Sequence, residues 1–256
     1  MKSSTLKKTL LAVLLAVGCA GCSPSAEELL NKGQSCHKAG NFTEAVKYFR
    51  KAAEKGNAEA QFALGKCYVE GTGVEPDFPQ AVEWYRKAAE QGHTKAQDSL
   101  AMCYTAGLGV SMNTKQAEYW FRKAAPGFRK AAERGDAEAQ FALSRYYEFG
   151  TGMEEDQEQA IYWCRKAAEQ GHAEAQYSLA SSYEHGVGVE EDPEQAVYWY
   201  RKSAEQGYTP GQYCLGECYE EGKGVAKDLE QAVYWYRKAA AQDNPIAKLK
   251  LEELGK

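Results

Sequence analysis

Ser35 and Lys38 stand three residues apart in Ser35-Cys36-His37-Lys38, a spacing at which a lysine can serve a serine nucleophile in acyl transfer. Such a centre needs further groups, and neither Ser-Asp-Asn nor Lys-Thr-Gly occurs in the chain. The match also falls inside a helical pattern, and it is read as chance. Gly71-Thr72-Gly73-Val74 and its relatives are glycine-rich, as phosphate-binding loops are. No strand pattern precedes them and no Gly-Lys-Ser/Thr follows, which excludes that chemistry. The four histidines are scattered, so no metal site and no cofactor are expected. Six cysteines follow Cys22, and they make sense only once the elements that carry them are known.

Those elements repeat. Ala58-Glu59-Ala60-Gln61 returns as Ala137-Glu138-Ala139-Gln140 and Ala173-Glu174-Ala175-Gln176, with looser copies beginning at Thr94, Thr209 and Pro245. The starts are 36 residues apart except for one step of 43. In the first half of a unit Ala60, Leu64, Cys67, Tyr68 and Gly71 form one stripe of an amphipathic helix. Ala81, Trp84, Tyr85 and Ala88 do the same in the second half. Trp84, Trp120, Trp163, Trp199 and Trp235 all occupy one repeat position. Identical placement in every unit is what stacking neighbours require, so these rings are read as core and not as a ligand box.

Helix ends are legible too. First helices stop at Gly71, Gly107, Gly150, Gly186 and Gly222, and second helices at Gly92, Gly135, Gly171 and Gly207. Second helices begin after Asp77, Asn113, Asp156, Asp192 and Asp228, each with a glutamine three residues on, a variant capping box. Residues 26–57 are a shorter helix pair of tetratricopeptide spacing, 58–93, 137–172, 173–208 and 209–244 are full units, and 94–136 is a unit with an insertion at 126–132. Residues 245–256 are a terminal capping helix in which Asp243 stands just before, where other units have the stop glycine.

The unit A-x-x-x-L-G-x-x-Y-x-x-G-x-G-V, an acidic cap, then Q-A-x-x-W-Y-R-K-A-A-x-x-G resembles the Sel1-like repeat, across nearly all of 26–254. The resemblance implies an all-α, right-handed α/α solenoid of stacked helix pairs, tetratricopeptide-like, serving as an adaptor in bacterial envelope, signalling or host-contact proteins. Cysteine-rich members of that family pair one cysteine from each helix of a unit, and no unit here has that arrangement. Equivalent helices stack ~8–10 Å apart, too far for Cys67 to pair with Cys103. Free thiols acting as small core residues are therefore expected.

Residues offset by two from the core stripe lie about 200° round the first helix, the face that lines the groove of tetratricopeptide-like arrays. They are Phe62, Lys66 and Glu70, then Asp98 and Met102, then Phe141, Arg145, Glu148 and Phe149. The later units supply Tyr177, Glu184 and His185, and Tyr213, Glu217, Glu220 and Glu221. These positions change from unit to unit while the stripe does not, which suits recognition, and Phe62, Phe141, Tyr177 and Tyr213 are expected to form an exposed aromatic row. With Glu59, Glu138, Glu174 and Lys95 the face carries ten acids against three bases. A protein partner with a Lys/Arg-rich segment is the expectation.

The step of 43 residues is a duplication, Phe121-Arg122-Lys123-Ala124-Ala125, Pro126-Gly127, then Phe128-Arg129-Lys130-Ala131-Ala132. Pro126 beside Gly127 predicts a break that divides the array into 26–125 and 128–254.

The amino terminus, residues 1–22, reads as an export signal. Lys2, Lys7 and Lys8 precede apolar Leu10 to Val17, and Ala20-Gly21-Cys22 ends like a lipobox with Cys19 where leucine is usual. Lipidation at Cys22, followed by Ser23, predicts an outer-membrane lipoprotein facing the periplasm and held to the membrane by its lipid anchor. Secretion as an effector-like adaptor is the alternative. A three-residue tether reaches at most ~11 Å, which would keep the array against the bilayer. Without the three leader lysines the net charge falls from −5 to −8, and an acidic body argues against nucleic-acid binding.

Overall fold

The computed structural model describes residues 23–256, so the lipobox and its leader lie outside the described residues. Thirteen α-helices and no strands occur among those residues. The fold is an all-α solenoid of antiparallel helix pairs: α1 (Ala26–Lys38) with α2 (Phe42–Glu54), α3 (Ala58–Glu70) with α4 (Phe78–Glu90), then α5 (Thr94–Ala106) and α6 (Thr114–Glu133). There follow α7 (Ala137–Glu148) with α8 (Gln157–Glu169), α9 (Ala173–His185) with α10 (Pro193–Glu205), α11 (Thr209–Glu221) with α12 (Leu229–Ala240), and the single α13 (Pro245–Glu253). None of the described helices is long and apolar enough to cross a membrane. Two compact units are present, one of residues up to Ala96 with Leu108–Val110, the other of Gln97–Gly107 with Ser111–Lys256. In the first unit α1 packs on α2, α2 on α3 and α3 on α4; in the second the same succession runs from α6 to α13.

The repeated stripe forms the core. Leu64, Leu100, Leu143, Leu179 and Leu215 are all fully buried, each at the same place in its first helix. Trp84 and Trp235 are buried, whereas Trp120, Trp163 and Trp199 are half-buried and set edge-on to the tyrosine before them at 5.0 Å. The tryptophan position is thus the rim of the core in three of the five units.

Two polar ladders join consecutive pairs. Gln140, Gln176 and Gln212 are buried, and each amide donates to the carbonyl eight residues back, Ala132, Ala168 or Ala204, at 3.0–3.2 Å. Their side-chain oxygens accept from Gln170, Gln206 and Gln242 at 2.7–2.9 Å. Gln61 makes the same two bonds in the first unit, to Ala53 and from Gln91. A buried amide that keeps its partners costs little, and one that loses them costs its full desolvation. In the second ladder Arg129, Arg165 and Arg201 donate to Tyr147, Tyr183 and Tyr219 at 2.7–2.9 Å, as Arg50 does to Tyr68.

Caps follow the expected scheme with one change. Asp77, Asn113, Asp156, Asp192 and Asp228 accept from the backbone three residues on. The reciprocal box closes at Ser25 and Glu28, while the Gln80 amide turns to Glu83 instead. Asp243 adopts φ 62°, the left-handed conformation that the stop glycines take elsewhere, and Lys248 binds its carboxylate at 2.6 Å. The second glycine of each loop seats the loop on the helix before it. A Cβ on Gly73 would overlap the backbone of Phe42, and one on Gly224 that of Pro193, each the first residue of its second helix.

That contact explains the insertion. Gly152 meets Phe121 and Arg122, and Phe121 is the eighth residue of α6, not its first. The duplicated heptad therefore lengthens α6 to 20 residues, two turns more than its counterparts, without changing which face is apolar. The expected break at Pro126 does not occur: α6 runs through it uninterrupted, and the compact units part after Ala96. Pro126 and Arg122 are both exposed, so the carbonyl that proline leaves unbonded is solvated.

Candidate protein-binding face

The first helices carry the candidate residues, and the two units hold them separately. Phe62, Lys66 and Glu70 belong to the first unit. Lys66 and Glu70 pair with each other at 3.4 Å, one turn apart and exposed. Phe62 is half-buried, stacked on His93 at 4.9 Å and tilted on Tyr85 at 5.8 Å.

The other nine lie in the second unit. Among them Met102 and Phe149 are open apolar positions, 54% and 63% exposed. They flank a cavity of about 300 Å³ whose lining includes Asp98, Phe121, Ala142, Arg145 and Tyr146. Tyr146 donates its hydroxyl to Asp98 at 2.7 Å. Burial raises the Asp98 carboxyl above its usual value, and that hydrogen bond and the Arg145 charge only partly offset it. Glu148, on the same helix as Arg145, is raised by burial as well.

The aromatic row is not the exposed surface expected. Phe141 is 6% exposed because it lies against His172 at 4.8 Å. Tyr177 and Tyr213 are half-buried on Tyr200 and Tyr236 at 5.8 and 5.7 Å. The period that places an aromatic opposite the core stripe also aims it at the second helix of its own pair. Besides Phe149, a repeated set of open aromatics stands on second helices: Tyr119, Tyr162, Tyr198 and Tyr234 are 47–49% exposed. A lysine four residues on stands over each ring at 4.8–5.7 Å. The sequence signal for them was present, a tyrosine before each of four tryptophans.

Some of the acidic excess is structural. Glu184 is raised by burial, but hydrogen bonds from Tyr200 at 2.6 Å and Lys223 at 2.9 Å outweigh that and hold it below its usual value. Tyr236 and Lys250 hold Glu220 down in the same way, at 2.6 and 3.2 Å. Glu138 faces His172 at 3.3 Å. Glu217 is raised by burial and by its neighbours Glu221 and Glu184, and it accepts from Tyr213. Glu221 and His185 are exposed at the ends of α11 and α9, and the His185 ring meets the Ser181 carbonyl at 2.9 Å.

The residues weighed for catalysis do not assemble. Ser35 donates its hydroxyl to the Asn31 carbonyl at 2.8 Å, on an exposed turn of α1. The six cysteines stand as free thiols, and burial pushes Cys67 up to about 11 and Cys164, Cys214 and Cys218 up to about 12. No group of three or more metal-ligating side chains is gathered among the described residues.

Helix pairs in register, caps at fixed offsets and two inter-pair ladders define a repeat protein of the helical solenoid class. The Sel1 repeat model matches residues 25–57, 58–93, 94–125, 137–172, 173–208 and 209–244, and the chain belongs to the Sel1 repeat family. That family typically provides protein–protein interaction scaffolds. A Sel1 repeat protein from Oxalobacter formigenes is similar at 34% identity, with a TM-score of 0.67 over 86% of this chain and 84% of that one. The uropathogenic Escherichia coli protective antigen c5321 is 34% identical over 90% of this chain and 56% of its own, at a TM-score of 0.48. The Pseudomonas aeruginosa immunity protein Pa5087 shares the fold at 22% identity and a TM-score of 0.52, over 88% of this chain and 84% of its own. None of the proteins of curated function is matched by this sequence.

Proposed function

We propose that the chain is a non-catalytic adaptor of the bacterial envelope that binds a segment of another protein along the first-helix face of its second unit. The observation that carries this reading is the contrast between two sets of positions on the same helices. The core leucines are identical and fully buried in the five repeats that begin at 58, 94, 137, 173 and 209, while Met102, Arg145 and Phe149 differ from their counterparts and stand open around a cavity. Open apolar side chains beside charged ones suit a recognition surface. Glu148, Glu174, Glu217 and Glu221 line the same helices, which favours a partner segment rich in lysine or arginine. Support for envelope attachment comes from the residues around Cys22 alone, and incorporation of labelled fatty acid at Cys22 tests it. Its failure would favour the secreted adaptor.

A second surface has an observation of its own in the tyrosines of the second helices. A photo-crosslinking residue placed at Phe149 in one variant and at Tyr198 in another separates the two. Both sites are exposed. A discrete adduct at 149 alone supports the first-helix face. An adduct at 198 alone moves the binding surface to the second helices, and no adduct at either leaves a spacer. Chromogenic β-lactam should not be hydrolysed. Turnover that disappears in Ser35→Ala would overturn the non-catalytic reading and revive an enzyme acting on β-lactams or peptidoglycan.

A further inference from the structure

We infer that the cavity beside Asp98 is a recognition pocket for one lysine or arginine side chain of the partner; this rests on the first-helix face being the binding surface. The argument begins with two departures from the repeat. The fifth position of a first helix is aromatic in Phe62, Phe141, Tyr177 and Tyr213, but Asp98 in α5. The tenth position is small in Cys67, Cys103, Ser182 and Cys218, but Tyr146 in α7. The two exceptions meet, since Tyr146 donates to Asp98 Oδ1.

An aromatic ring is absent where its counterparts fill the space, and a cavity of about 300 Å³ stands there. The duplicated heptad supplies its support. Phe121 and Phe128, the same residue in the two copies, hold the Tyr146 ring edge-on at 5.7 and 5.4 Å. Tyr146, so held, occupies one oxygen of the Asp98 carboxylate. The other can accept from a ligand.

The walls decide the rest of the ligand. Met102, Phe121, Ala142 and Phe149 offer apolar surface to a stem of methylenes, and Asp98 offers a charge to its head. Only lysine and arginine combine the two. A carboxylate ligand would meet Asp98, with Glu148 on the same helix. Arg145 stands at the lining as a competing cation, which makes its removal informative.

The test uses n-butylguanidinium as probe on the full chain labelled at methionine methyl carbons. Four methionines give a sparse spectrum in which Met102 reports the mouth and Met112 the bulk surface. Saturable shifts are expected at Met102 and not at Met112. Asp98→Asn keeps an acceptor for Tyr146 and should weaken the probe about tenfold, by removing a charge-assisted bond. Arg145→Ala should tighten it. Equal binding of n-pentanol, binding of butyrate that Arg145→Ala abolishes, or indifference to Asp98→Asn would each overturn the proposal. Crosslinking at Phe149 keeps the two readings apart. Undiminished partner adduct in Asp98→Asn leaves the face standing without the pocket, and probe binding with no adduct at 149 leaves a pocket without its partner.

Discussion

A histidine can cap a helix only while Nδ1 has a lone pair to give. His172 accepts the Ala175 N–H there at 3.2 Å, which puts the ring proton on Nε2, facing Glu138 at 3.3 Å. His93 does the same for Ala96 and Glu59, at 3.1 and 2.9 Å. His172→Ala should lower stability by about 1 kcal/mol in urea unfolding, the usual worth of a cap, and His172→Asn should restore most of it. Asn57 and Asn244 already cap first helices in this chain. Equal stability of the alanine variant would show that the histidine cap contributes nothing. The His93 hydrogen bond holds Glu59 below its ordinary 4.5. A carboxylate depressed by folding adds stability above its unfolded value and loses it as pH falls through the folded one. The gap between wild type and Glu59→Gln in urea should therefore be present at neutral pH and close below about pH 4.5. Asp-x-x-Gln at second helices announced its caps. The histidine caps went unread because histidine at a turn has many other uses, and only the ring position tells which nitrogen accepts.

At the scale of the element, the heptad insertion was visible as a duplication and was misjudged as a break. Proline inside a helix costs one hydrogen bond and a steric clash, roughly 3 kcal/mol, which packing can outweigh. Here Ala124, Ala125, Phe128 and Ala132 are buried on both sides of Pro126 and hold the helix together. Pro126→Ala should then stabilise the chain by about 1–3 kcal/mol in urea unfolding. Destabilisation would mean that the proline sets a bend that packing needs. The glutamine ladder is the second device of this scale. Gln176→Leu removes the donor to Ala168 and the acceptor for Gln206, and should cost about 2–3 kcal/mol because a buried carbonyl is left unpaired. A cost below ~0.5 kcal/mol would place water in the ladder's path. Repetition of Ala-x-Ala-Gln marked this glutamine in the sequence, and its burial followed only from the neighbouring pair's carbonyl end.

For the whole molecule, the acidic first-helix face predicts that partner binding weakens as salt rises from 0.05 to about 0.5 M, read as Kd by titration, because exposed charges lose their reach beyond a Debye length of about 10 Å at 0.1 M. Salt-independent affinity would remove charge from the account and leave the apolar rim. Family and fold class were determined by the sequence alone, since period, cap and glycine stop are local consequences of helical geometry repeated many times. The tertiary structure alone decided which polar residues are buried, which aromatics are open and where the one cavity beside Asp98 lies. Those depend on contacts between residues about 23–48 apart, such as Tyr177 with Tyr200, Gln61 with Gln91 and Asp98 with Tyr146. A helical period assigns a residue to a face, but the neighbouring helix determines whether that face meets protein or water.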